Sequence, residues 1–324
     1  MKPPPPLTAS RRRRVLGLLG LFLFVAVAVG LLAGPSGFFF DDSTLDLRLL
    51  RVALAVVVGA GLSATGASLQ AVMRNPLADP FILGVSGGAA IGGALGVAGV
   101  PGLHELSVPV LASLGALAAT GILAWFLARD SRGRSETALL VGVVINAFAW
   151  ALVAVVRAIL PGQETQRLSM WLIGELGYPA PQALLAAAIV TALGVLVLTW
   201  QAGSIGLLRA GDDEAARLGI RVGRTRVIAY ACASLLVGVA VSTSGVIGFI
   251  GLIAPHAVRR LAGADERLVV PGSALLGALV LVLFDAASRY GFVYLATELP
   301  VGALCALVGA PLFALLLWRQ VVRS

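Results

Sequence analysis

The sequence predicts an all-α polytopic membrane protein with ten transmembrane helices and both termini in the cytoplasm. Three observations carry this. The chain of 324 residues is 59% hydrophobic and 12% charged, with a mean hydropathy of +0.97. Nine uncharged runs are long enough to cross a bilayer, for which roughly 20 residues suffice. Basic residues fall between those runs, as membrane topology requires. A net charge of +8 could suggest a nucleic-acid partner, but no basic face is gathered to hold one. Cys232 and Cys305 both lie inside apolar runs, where a thiol behaves as a small hydrophobe, so no disulfide framework is indicated.

The runs are 15–34, 52–73, 81–103, 106–128, 137–156, 176–208, 227–258, 268–284 and 299–318. Nine crossings would put the ends on opposite sides, yet arginines 11–14 precede the first run and Arg319 and Arg323 follow the last. One run must therefore hold two crossings. Ser242-Thr243-Ser244-Gly245 interrupts 227–258, whereas splitting 176–208 would export the arginines that follow it. The resulting topology places 19 of the 24 basic residues inside and leaves Arg48, Arg51, Arg157, Arg167 and Arg289 outside. Prolines 3–6 and the length of the first run argue against a secretory signal, so it reads as helix one, after a cytoplasmic tail over 1–14. The whole of 1–324 is one transmembrane domain.

Asn75-Pro76-Leu77-Ala78-Asp79-Pro80 is a tight cytoplasmic turn, because both Asn-Pro and Asp-Pro disfavour helix. Beyond it Gly84, Gly88, Gly92 and Gly96 recur at every fourth residue, a groove for the close approach of another backbone. Between helices five and six a segment too short to cross lies at the outer interface, with Trp171 and Tyr178 as anchors. Pro255 is expected to break the returning helix near its inner end. His256, with no second histidine nearby, reads as packing rather than as a ligand. Asp285 and Arg289, four apart, read as a pair at the outer end of their helix.

The longest charge-dense interior stretch is a cytoplasmic loop over 202–226, whose 209–226 part carries five arginines and three acids. Its acids lead and its arginines trail, which suits a short helix from Asp212, and Gly219 marks its stop. A solvated loop is the simplest account. The order Glu214-Ala215-Ala216-x-x-Gly219, however, resembles the coupling loop through which ABC importer permeases meet their ATPase subunits. Asn75-Pro76-Leu77-Ala78-Asp79-Pro80 with Leu83-Gly84-Val85-Ser86, the stretch from Gly248 to His256, and Glu298-Leu299-Pro300-Val301-Gly302 with Gly309-Ala310-Pro311 together resemble the FecCD family of permeases.

That resemblance implies a subunit of a bacterial inner-membrane importer for iron chelates, haem or vitamin B12. It also implies ten helices, a second permease subunit, identical or closely related, as partner, two cytoplasmic ATPase subunits, and a periplasmic or lipid-anchored binding protein. By the same resemblance, Asp213, Glu214, Ala215, Ala216, Leu218 and Gly219 couple to the ATPase, and Asn75, Leu77, Arg134 and Ser135 form a cytoplasmic gate. Arg48, Arg51 and Arg289 dock acidic residues of the binding protein. Departures are Ala264-Asp265-Glu266-Arg267, where relatives often carry Asp-His-Arg, the absence of proline before Arg51, and Glu175 where many carry serine, which leaves the cargo open.

The chemistry agrees with such a division of labour. A P-loop needs a lysine to reach phosphate, and the only lysine is Lys2. No nucleophile set or metal-ligand spacing is evident, so no enzyme activity and no cofactor are expected of this chain. The rival reading is an ion- or proton-coupled secondary transporter, for which Asp285, Arg289 and Glu298 are the candidate carriers.

Overall fold

A computed structural model of the protein describes residues 8–34, 37–38, 44–99, 108–129 and 135–321. Among them run twelve α-helices: α1 (Ala9–Leu32), α2 (Leu45–Val72), α3 (Val85–Val97), α4 (Val108–Arg129), α5 (Ser135–Ile159), α6 (Gly162–Ile173), α7 (Pro181–Leu208), α8 (Asp212–Arg217), α9 (Val222–Ser244), α10 (Ile250–Ala262), α11 (Glu266–Leu295) and α12 (Val301–Val321). A 3-10 turn covers Pro80–Leu83. The only strands among the described residues are a two-residue antiparallel pair, β1 (Ala33–Gly34) and β2 (Gly37–Phe38).

Helix is what long apolar runs must adopt in lipid, because each backbone N–H and C=O then finds its partner within the segment. Seven of these helices, α1, α2, α4, α5, α7, α9 and α11, are long and apolar enough to cross a membrane, and α3 and α12 contain shorter apolar stretches. The 227–258 run divides near the expected place: α9 stops at Ser244, Gly245 takes a positive φ of 66°, and α10 starts at Ile250. The 176–208 run stays a single helix from Pro181.

The centre of the bundle is α2, with 83% of its apolar window inside, against 11% for the peripheral α1. The glycine groove on α3 receives α4. A Cβ on Gly88 would stand 2.4 Å from the Gly115 carbonyl oxygen, and one on Gly92 would stand 2.0 Å from that of Leu111. Gly84 belongs to a different contact, against Ile145 of α5.

Two expectations need correction. Pro255 does not break its helix, for α10 runs through it to Ala262. Proline removes one bond to the carbonyl four residues back, and that carbonyl, on Gly251, accepts from Gln70 Nε2 at 3.4 Å. Trp171 is not an interfacial anchor. Its ring fills the space beside Gly93, 2.5 Å from where a Cβ would be, and packs against the core. Tyr178 alone remains exposed, with its hydroxyl 3.4 Å from Arg51 Nη1.

Candidate coupling and gating surfaces

At one end of the bundle, α8 projects from the junction of α7 and α9. Gly211 at its N-cap has a φ of 117°, a conformation that only glycine adopts freely, and this turns the chain sharply out of α7. Three acids fill the first turn and Arg217 the last, as the helix dipole favours. Asp213, Glu214, Ala216, Leu218 and Gly219 are all exposed. Ala215 departs from the sequence expectation: it is fully buried and faces the bundle, so it belongs to the seat of α8 rather than to its outward surface.

Ion pairs hold that seat on both flanks. On the α7 side Arg209 donates to Glu266 at 2.7 Å, and Arg259 of α10 reaches the same carboxylate at 3.3 Å. Arg259 also donates to Gln70 Oε1 and to the Ala67 carbonyl, so α2, α7, α10 and α11 share one polar knot. On the α9 side Asp212 accepts from Arg226 at 2.8 Å and lies 3.7 Å from Arg74. Glu266, Gln70 and Arg259 were not singled out from sequence. Spacing within one helix does not reveal a contact between residues 189 apart, the separation of Gln70 and Arg259.

The turn after α2 lies at the same end. Asn75 Oδ1 accepts from Leu77 N at 2.9 Å and the Asn75 carbonyl from Ala78 N at 3.1 Å, while Leu77 projects outward. Asp79 Oδ1 caps the 3-10 turn at Phe81 N, 2.8 Å away. Burial pushes the Asp79 carboxyl up to about 6, opposed by that backbone bond. Arg134 lies outside the described residues, and Ser135 is described only as the first residue of α5. Asn146 of α5 is occupied by the fold: it donates to the Phe81 carbonyl at 2.9 Å and accepts from Gly87 N at 3.2 Å.

At the opposite ends of α2 and α11 the three arginines expected to face outward are instead buried, at 5% exposure for Arg48, 3% for Arg51 and 2% for Arg289. Asp285 sits between two of them, accepting from Arg51 Nε at 2.7 Å and from Arg289 Nε at 3.0 Å. Arg51 adds Glu298 at 2.7 Å. Arg289 donates to the carbonyls of Gly30 and Ala33, and Arg48 to those of Leu31 and Leu32. These carbonyls end α1 and have no partner within it. The arginines therefore cap one helix and neutralise two carboxylates, Asp285 and Glu298. Buried cations need that compensation, so the three arginines expected at a docking surface are engaged within this chain. The expected i,i+4 pair of Asp285 and Arg289 is present, but inside the bundle.

Among the described residues no group of histidine, cysteine or carboxylate side chains could hold a metal ion. A helical bundle in which seven helices are long and apolar enough to cross a bilayer is the build of a polytopic membrane protein. The chain belongs to the FecCD transport family, whose pattern it matches over residues 16–319. It is 40% identical over 280 residues to the hemin transport system permease protein HmuU of Yersinia pestis, covering 85% of this chain and 83% of that one. With the vitamin B12 import system permease protein BtuC of Vibrio cholerae it shares 37% identity over 313 residues, 94% and 93% of the two chains. A solved inward-facing metal-chelate type ABC transporter superposes with a TM-score of 0.84 at 28% identity, covering 95% of this chain and 99% of that one. The protein is thus an ABC importer permease subunit. The rival reading as a secondary transporter finds no support, and its candidate carriers Asp285, Arg289 and Glu298 are joined in one ionic cluster through Arg51.

Proposed function

We propose that this subunit carries an iron chelate, haem or a corrinoid across the bacterial inner membrane, working as a pair of identical copies. In this reading ten segments cross the bilayer: the seven long helices together with α3, α10 and α12. The end bearing α8 faces the cytoplasm. In this reading both termini also face the cytoplasm, which the 3.8 Å approach of Arg12 near the start of α1 to Asp265 supports for the first.

Two ATPase subunits grip α8 through Asp213, Glu214, Ala216, Leu218 and Gly219, with Ala215 as the buried seat. The turn at Asn75 and Leu77 closes the exit together with Arg134 and Ser135. A binding protein, periplasmic or lipid-anchored, delivers cargo at the opposite end, where Arg48, Arg51 and Arg289 fix the shape of the surface from beneath. The observation that carries the reading is α8 itself, a short exposed helix clamped on both flanks to the bundle. It is a lever presented to a soluble partner.

The experiment is reconstitution of the chain with its ATPase and binding protein in proteoliposomes, with uptake of haem, a ferric siderophore and cobalamin followed separately. ATP-dependent uptake of one of them is expected. Uptake of none, in vesicles that hydrolyse ATP, would sink the cargo assignment.

A further inference from the structure

Asp212 is the first residue of α8, and its carboxylate meets two arginines from different parts of the bundle. Arg226, almost wholly buried on α9, holds it at 2.8 Å. Arg74, half exposed just beyond α2, stands 3.7 Å away, and a Cβ on Gly211 would be 3.8 Å from its guanidinium. Arg74 has a positive φ of 53°, unusual for a residue with a side chain. Such conformations persist only where surrounding contacts hold them. Its backbone leads directly into the compact turn that Asn75 closes through Leu77 N and Ala78 N. The other flank of α8 is anchored differently, through Arg209 to Glu266, a buried carboxylate shared with Arg259. One flank is a fixed pivot inside the bundle. The other carries, beside the buried Arg226, a half-exposed tie from Asp212 to Arg74.

We infer that Arg74 and Asp212 are positioning residues that tie α8 to the 75–78 turn, so that displacement of α8 by the ATPase is passed to Leu77. The inference rests on the reading of α8 as the ATPase contact and adds to it the route by which that contact reaches the turn. Arg74 is the residue to change, because neutralising Asp212 would also strip Arg226 of its carboxylate.

The test uses the complete reconstituted complex, in a Cys232→Ala and Cys305→Ala background, with spin labels at Leu77 and Trp200, both of which are exposed. A parallel sample carries labels at Trp200 and at Arg217, an exposed residue of α8 outside those assigned to the ATPase contact. In the parent, ATP is expected to shift both distances. Arg74→Gln should cut the Leu77 shift by more than half and lower uptake per ATP hydrolysed by about threefold to fivefold, the scale of an exposed ion pair. Arg74→Lys should restore both. A full Leu77 shift in Arg74→Gln, with the Arg217 label still responding to the ATPase, overturns the tie and leaves the partner assignment standing. An Arg217 label that ignores the ATPase overturns that assignment, and the tie with it.

Discussion

Gln70 on α2 donates to the carbonyl of Gly251 on α10, the carbonyl that Pro255 leaves without its helical partner. The two helices can approach this closely because Gly66 has no side chain: a Cβ there would stand 1.8 Å from the Gly251 oxygen. Gln70→Leu should therefore strand the Gly251 carbonyl and remove one partner of Arg259, lowering stability by about 1–3 kcal/mol. Gly66→Ala should cost a similar amount, about 1–3 kcal/mol, by overpacking. Thermal unfolding of the detergent-solubilised protein reads both. A midpoint unchanged in either variant would mean that α10 tolerates its proline without help from α2.

Adjacent alanines on α8 should behave oppositely. Ala216 is exposed and Ala215 is buried. Ala216→Trp is expected to leave folding intact and abolish co-purification of the ATPase subunit. Ala215→Trp is expected to lower the folded yield itself, since a large side chain has no room beneath α8. Size-exclusion profiles and pull-downs separate the two effects, and equal behaviour of both variants would show that α8 sits otherwise.

The Asp285 cluster is predicted to act on folding before it acts on docking. Removing one member of a buried ion pair typically costs about 3–5 kcal/mol, because the other charge is left uncompensated. Asp285→Ala, which leaves Arg289 without a carboxylate and Arg51 with Glu298 alone, and Arg289→Glu, which sets two carboxylates together, should both lower the melting temperature without any binding protein present. Glu298→Gln, at the partly exposed edge, should be mild. Normal melting of Arg289→Glu with weakened binding-protein affinity would return Arg289 to the docking surface.

Asp79 gives a pH dependence of defined sign. Its folded pKa of about 6 lies above the ordinary 3.8, so folding favours the protonated form. The stability it allows is complete below about pH 4, declines as pH rises through 6, and stays low above that. Asp79→Asn keeps a cap for Phe81 N and removes the buried charge. It should raise stability at pH 7.5 by about 1–2 kcal/mol, allowing for partial exposure, with one pKa unit equal to about 1.4 kcal/mol. The advantage should vanish at pH 4. Melting curves at the two pH values decide it, and an equal shift at both would assign the effect to the cap alone.

The helices themselves were legible because apolar runs and their interruptions are local properties. The break at Ser242-Thr243-Ser244-Gly245, the short helix from Asp212 and the turn at Asn75 are each written within a few residues. The fate of the outer arginines was not legible in the same way. Arg51 finds Asp285 across 234 residues of sequence, and a rule based on counting charges on each side of a membrane cannot see that a carboxylate awaits inside. Pro255 was misjudged for a related reason: its cost is met by Gln70, 181 residues before Gly251. Ala215 and Ala216 differ only in which way the turn of α8 presents them, and the short helix pattern alone did not separate them.

The capping of α1 sets a schedule for assembly of the chain in the membrane. Its terminal carbonyls wait for Arg48, which follows closely, and for Arg289, which is synthesised 259 residues after Gly30. Until α11 emerges, the first helix is held at that end by a single arginine and by few neighbours, so the earliest segment to enter the bilayer is among the last to be fastened. A nascent or truncated chain lacking α11 would carry a loosely attached first helix, a feature by which membrane quality control could tell unfinished copies from finished ones.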